Sequence, residues 1–227
     1  MKNRSPHVVD ISPDRYVYRC THLTQEGTCA VDHGPRVVDI GPFSVDVFPV
    51  TNERYREFLV DSGYEPAHGA GFLRHWNGRS IPSGLDRHPV VWVTPEDATA
   101  FASWAGGRLP TDEEWQYIAC GPEEKKWPWG EELDASRCNH DGGELMPVDA
   151  YPHGASWCGC YDLSGNAWEW IAPIHEGQMH RFALLRGGSY FRGPANWHVA
   201  GGARPCDFHW KMQLMNDEIN RSSVVGF

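Results

Sequence analysis

The spacing of apolar and polar positions divides the chain into a few short helices separated by long stretches with neither a helical nor a strand period. From Val37 the side chains alternate through Val37-Val38-Asp39-Ile40 and again through Phe43-Ser44-Val45-Asp46-Val47-Phe48, with Gly41-Pro42 between them. This predicts two short strands, or one bent strand, with one face buried. A helix is predicted from Thr51, a good N-cap, with Tyr55, Phe58 and Leu59 on its buried face and Ser62-Gly63 at its end. A second opens at Thr94-Pro95-Glu96-Asp97, where Thr caps, Pro takes the first helical position and acids meet the helix dipole. Its buried face is Phe101 and Trp104, and Gly106-Gly107 stops it. A third begins with a capping box at Thr111-Asp112-Glu113-Glu114, turns Trp115 and Ile118 inward and closes at Gly121-Pro122.

Between the first two helices, residues 64–90 are rich in glycine and proline and predict a long surface loop of the kind that lines a site. Residues 1–35 carry little periodicity and read as an N-terminal extension that wraps the body, ahead of one domain over 36–227. Towards the end, Leu184-Leu185-Arg186-Gly187-Gly188-Ser189-Tyr190-Phe191 reads as a strand with a Gly-Gly step for close backbone approach, followed by Trp197-His198-Val199-Ala200 and a terminal Ser222–Phe227 strand. Few helices among short strands and long ordered loops give an α+β fold class.

Composition adds constraints. With 227 residues, 24 Gly, 17 Pro and 11 Trp, much of the chain is turn, and large aromatic rings supply the apolar area that regular elements otherwise bury. A net charge of −10 without a Lys/Arg run argues against nucleic-acid or anionic-membrane partners and leaves a small-molecule, peptide or protein partner. No apolar stretch reaches signal-peptide or transmembrane length, and seven scattered cysteines suit a reducing compartment, so a cytoplasmic location is expected. Cys20, His22, Cys29 and His33 are zinc-ligand types at an unusual spacing, and independent side chains or a Cys20–Cys29 disulfide are the alternatives. No hydrolase elbow, phosphate loop or dinucleotide fingerprint is present.

One stretch organises the rest: Tyr161-Asp162-Leu163-Ser164-Gly165-Asn166-Ala167-Trp168-Glu169-Trp170. Asp162 and Glu169 bracket a turn, and the carbonyls of Gly165 and Ala167 can complete a calcium shell of oxygen ligands. The alternative is a turn with two solvated acids between buried tryptophans. Asn139 and Asp141 lie in a turn-rich stretch whose local reading is an Asx-type turn.

Several motifs in order resemble the formylglycine-generating enzyme (sulfatase-modifying factor) family. They are Val50-Thr51-Asn52 with Tyr55 and Phe58, Pro89-Val90 before Trp92, Arg108-Leu109-Pro110-Thr111 with Glu113-Glu114-Trp115-Gln116, Trp129-Gly130, Gly165–Trp170, Leu185–Tyr190 and Val225-Gly226-Phe227. The resemblance implies a C-type-lectin-like domain, poor in regular structure and stabilised by calcium at Asp162, Gly165, Ala167 and Glu169, with a further calcium at the Asn139 position. It also implies a pattern that usually continues with Arg after Gly226-Phe227, hence a clipped final strand.

The chemistry departs from that family. Its copper-binding cysteines fall here on Arg192 and Trp197, which cannot replace soft thiolates. Copper-dependent oxidation of a sulfatase cysteine is therefore not expected. Arg192 suits a substrate carboxylate or phosphate, with Trp197 as a stacking wall, or else a surface ion pair. His198, Cys206 and His209 are the candidate catalytic set, with iron or copper as the possible metal, and burial around Trp197, Phe208 and Trp210 is the competing account. His175 and His180 form a weaker pair. The expected function is an oxygen-using, metal-dependent oxidoreductase acting on a small molecule or peptide side chain; a catalytically inactive binding module is the alternative.

Overall fold

The capping chemistry of the three helices is realised in a computed structural model, which describes residues 7–20, 34–176, 180–191 and 202–227. Helix α1 (Asn52–Ser62) is capped by the Thr51 hydroxyl and ends at Gly63 in the left-handed region. Helices α2 (Pro95–Trp104) and α3 (Asp112–Cys120) each open with a complete capping box, Thr94 with Asp97 and Thr111 with Glu114. In each box a hydroxyl and a carboxylate satisfy backbone N–H groups that the first turn leaves unpaired. Tyr55, Phe58, Leu59 and Phe101 pack with Leu73, Trp76, Val90 and Val93 into one core cluster. Trp104 differs from expectation. It is only partly buried, with its indole N–H donating to Asp61 at 2.7 Å and the Arg54 guanidinium over its ring.

The stretch before residue 36 is partly built into the fold. Strand β1 (Val8–Ile11) pairs antiparallel with β4 (Phe43–Asp46), and β2 (Asp14–Tyr18) pairs with β3 (Arg36–Ile40). Residues 37–48 thus form two strands that pair with two earlier ones and not with each other. The inward positions of β2 are Tyr16 and Tyr18, which a hydrophobic count undervalues. Each buries its ring and ends in a hydrogen bond, to Gln116 at 3.0 Å and Asp112 at 2.5 Å. These ribbons pack on the Trp115–Cys120 face of α3.

The remaining strands form one sheet. In it, β7 (Arg181–Arg186) pairs with β6 (His175–Glu176) at its start, with β5 (Trp168–Trp170) at its end and with β8 (Trp210–Leu214) along its length, while β9 (Val225–Gly226) runs parallel to β5. A short helix, α4 (Asp217–Asn220), links β8 to β9. Strand β7 stops before the Gly-Gly step because Gly187 and Gly188 both adopt positive φ, +87° and +89°, which no strand continues through. At Gly188 a Cβ would lie 2.3 Å from the Gly202 carbonyl, so the close approach needs glycine.

Residues 64–90 are turns, yet they are anchored. Arg221, fully buried, donates to the carbonyls of His68 and Ala70 at 2.7 Å each and pairs with Asp97 at 2.9 Å. Among the described residues no helix is long and apolar enough to cross a membrane.

Candidate functional site

The Tyr161–Trp170 stretch holds its shape through left-handed residues. Asp162, Gly165 and Asn166 have φ of +57°, +92° and +59°. Asp and Asn tolerate that region better than other side-chain-bearing residues, and Gly165 alone leaves room for Asn139, whose carbonyl would sit 2.5 Å from a Cβ there. The turn is stitched inward by Gly165 N to Gly187 O at 2.9 Å and Asn166 N to Asn139 O at 2.8 Å. Trp168 and Trp170 follow on one face of β5 and are almost wholly buried. Each ring removes on the order of 200 Å² from water, worth roughly 5 kcal/mol.

Both acids are withdrawn from solvent, against the picture of two solvated acids. Asp162 is buried, and its Oδ2 accepts from Asn166 Nδ2 at 2.8 Å. Glu169 is partly buried, and its Oε2 accepts from the Trp115 indole at 2.6 Å. Burial pushes the Asp162 carboxyl up to about 7, against the Asn166 bond and with added repulsion from Asp149. Burial likewise pushes Glu169 up to about 8, opposed by the Trp115 bond and reinforced by Asp162. Among the described residues no Lys or Arg pairs with either.

Asn139 joins the same turn. Its Nδ2 donates to Asn166 Oδ1 at 3.0 Å and to the Glu144 carbonyl at 2.8 Å, while its Oδ1 is buried with no hydrogen-bond partner among the described residues. Asp162, Glu169 and the carbonyls of the Gly165–Ala167 turn offer only oxygen donors, and the orphaned Asn139 Oδ1 lies nearby against Gly142. Hard dications take such sets, so the residues fit calcium.

A second polar device lies at the end of β7. Asp112, at the start of α3, accepts from Arg186 Nε at 2.5 Å on Oδ1, and its Oδ2 meets the Tyr18 hydroxyl and, at 3.2 Å, His209 Nδ1. Burial alone would raise the Asp112 carboxyl, but Arg186 and His209 outweigh it and hold it well below the usual range. Arg186 is fully buried over the Trp115 ring, and its Nη1 donates to the carbonyls of Cys206 at 2.8 Å and Phe208 at 3.1 Å. One ion pair therefore ties β2, α3, β7 and the 206–209 segment together.

This cluster takes in two of the three candidate catalytic residues. His209 faces Asp112, and Cys206 is wholly buried with its thiol pushed well up by burial and by Cys120. His198 lies outside the described residues, as do Arg192 and Trp197. Gly202 N donates to the Phe191 carbonyl at 2.7 Å. Beside this point the Ser189 hydroxyl is buried with no hydrogen-bond partner among the described residues, as is the Trp168 indole N–H. Both lie inside motifs read from the sequence, but only the orphaned atoms single them out as unpaired.

Other candidates disperse. His175 stacks on Phe182 at 4.4 Å, and His180 Nδ1 meets Gln213 at 3.1 Å, so they do not converge. Cys20 is buried, and its proposed zinc partners His22, Cys29 and His33 lie outside the described residues. Among the described residues no group of three or more His, Cys, Asp or Glu side chains is placed to hold a metal.

Comparison with known proteins agrees with this architecture. The model of the sulfatase-modifying factor enzyme 1-like domain matches residues 2–220. The chain is 34% identical over 192 residues to the inactive C-alpha-formylglycine-generating enzyme 2 of Mus musculus, covering 63% of this chain and 62% of that protein. It is 33% identical over 211 residues to the hercynine oxygenase of Mycolicibacterium thermoresistibile, covering 71% of this chain and 46% of that protein. Among the first curated relatives matched, the chain spans 21% to 62% of their length. The structure of PvdO from Pseudomonas aeruginosa superposes with a TM-score of 0.66 at 18% identity, covering 97% of this chain and 92% of that one. With its helix caps, its glycine-broken β7 and its Asp162–Glu169 turn, this chain belongs to the formylglycine-generating enzyme (sulfatase-modifying factor) family and has that family's fold.

Proposed function

We propose that the chain is an oxygen-using oxidoreductase of the formylglycine-generating-enzyme-like fold, acting on a small molecule or a peptide side chain. The observation that carries this reading is the 33% identity to a hercynine oxygenase across 71% of the chain. The geometry is compatible with it. Ser189 Oγ and Trp168 Nε1 are buried hydrogen-bonding groups without described partners in a layer containing Tyr190 and Phe208, and a few polar groups among aromatic walls are how pockets orient small substrates.

In this reading Arg192 pairs a substrate anion and Trp197 forms a wall, in place of the copper thiolates of sulfatase activation. The described members of the His198, Cys206 and His209 set belong to no group of three or more His, Cys, Asp or Glu side chains placed to hold a metal among the described residues. His198 is the member of that set through which iron or copper would be drawn in. A structural calcium belongs to the reading as well, held by Asp162, Glu169 and the Gly165 and Ala167 carbonyls, with Asn139 beside them.

The test is the metal content of protein purified without chelator, for the parent chain and for His198→Ala. Near-stoichiometric iron or copper, lost in the variant, together with oxygen uptake in the presence of a thiol- or imidazole-bearing substrate panel, is expected. Calcium as the sole metal, with no oxygen uptake, overturns it. That result would favour the second reading, a calcium-stabilised binding module, which the 34% identity to a relative named as inactive supports.

A further inference from the structure

Residues 156–160 form a tight turn closed by Gly159 N to Ser156 O at 2.9 Å and Ser156 N to Cys160 O at 2.8 Å. Gly159 takes φ +88° with open space where a Cβ would stand, and this reversal brings two thiols together. The Cys158 and Cys160 sulfurs are 3.7 Å apart. Cys158 Sγ also lies 3.3 Å from the Ser156 hydroxyl and 3.6 Å from the Ile118 carbonyl. Cys160 is buried in the core under β4. Cys158 is half-buried and lines a cavity of about 310 Å³ with Val9, Ile11, Tyr117 and Trp157, and Asp10 and Asp14 place carboxylates on the same wall.

We propose that Cys158 and Cys160 form a thiol–disulfide exchange site that takes a small neutral or cationic disulfide from this cavity. The site is independent of the activity proposed above. The Cys158 thiolate attacks one sulfur of the incoming disulfide, forming a mixed disulfide and expelling the first thiolate. The Cys160 thiol then loses its proton to solvent and attacks Cys158 Sγ, which closes the Cys158–Cys160 bond and expels the second thiolate. The protein loses two electrons and two protons, and the small disulfide leaves as two thiols. Sulfurs already in van der Waals contact across a glycine need only side-chain rotation and a small backbone adjustment to bond.

Electrostatics favour Cys158 as the attacking sulfur. The neighbouring Cys160 sulfur, and then the Ser156 hydroxyl, pull its thiol below the ordinary range against the opposing effect of burial, which favours the thiolate there. Elsewhere burial works the other way, pushing Cys138 up to about 12 and Cys206 well above the thiol range. The Asp10 and Asp14 carboxylates disfavour an anionic reagent, which sets the charge preference.

The experiment treats the reduced full chain at pH 7 with cystamine and, in parallel, with oxidised glutathione, followed by acid quench, intact mass and peptide mapping of all seven cysteines. The expected result with cystamine is the loss of two hydrogens per chain and a Cys158–Cys160 bond. Cys160→Ser should stop at a cysteamine adduct on Cys158, and Cys158→Ser should lose the reaction. Oxidised glutathione should react at least about tenfold more slowly, as like charges meet at the cavity. A disulfide mapped to any other pair, or a Cys160→Ser chain without an adduct on Cys158, overturns the proposal. The map of the unsubstituted chain decides the matter even where a variant fails to fold.

Discussion

Asp162→Asn separates a cation site from a merely hydrogen-bonded turn. The substitution keeps the shape and an oxygen to accept from Asn166 Nδ2, now 2.8 Å from Asp162 Oδ2, but removes the charge. In the ion-free protein, burial lifts this carboxyl from 3.8 to about 7. At about 1.4 kcal/mol per tenfold change in equilibrium, that disfavours the charged form by roughly 4 kcal/mol, of which local relaxation relieves about half. For a chain of this size, about 2 kcal/mol moves the melting temperature by roughly 4–8 °C.

Asp162→Asn is therefore expected to melt higher than the parent in chelator at pH 8. Calcium at about 100 times its dissociation constant stabilises the parent by about 2.7 kcal/mol and leaves the variant unmoved. Calorimetric melting with EGTA and with calcium, on both proteins, makes the comparison. A variant that melts lower than the parent in chelator, with identical calcium responses in the two proteins, would refute the reasoning, because it would mean that the carboxylate serves the turn and not an ion.

Three further outcomes are expected. Asp112→Ala strands Arg186 as a buried, uncompensated cation and should cost about 3–5 kcal/mol, read as a fall in urea midpoint. Arg221→Ala frees the carbonyls of His68 and Ala70 along with Asp97, and should make residues 66–72 the first site of limited proteolysis in native buffer. His75 donates from Nε2 to Asn52 at 3.0 Å, and burial lowers its pKa from 6.5 to about 4. Since the unfolded chain binds a proton there that the fold refuses, stability is unaffected above pH 6.5 and falls as pH drops towards 4. The loss for this partly exposed ring is about 1–2 kcal/mol. His75→Gln should flatten the stability slope between pH 6.5 and 4.5, and an unchanged slope would show that another group governs it.

The helices and their ends were legible because caps are local chemistry. A hydroxyl, a proline and a carboxylate within four residues at Thr94–Asp97 already satisfy the orphan N–H groups, whatever packs above them. The motif series also carried the family, since glycines at 165, 187 and 188 and tryptophans at 168 and 170 are demanded by backbone approach and ring volume. The partners of those local devices were not legible. Tyr16 and Tyr18 hide a pair of strands because a tyrosine counts as neither apolar nor polar until its hydroxyl finds Gln116 or Asp112 across the fold. His209 and Cys206 have the composition of a metal site, yet in the fold the His209 ring faces Asp112 and the Cys206 carbonyl accepts from Arg186. Asn139 reads locally as part of a pair with Asp141, and only the fold shows that it also hydrogen-bonds Asn166 in the Asp162 turn. Short-range sequence thus determined where the chain turns and caps, while burial and charge compensation between residues far apart in the chain, 74 positions for Arg186 with Asp112 and 153 for Arg221 with His68, which only the tertiary structure brings together, decided what each polar side chain does.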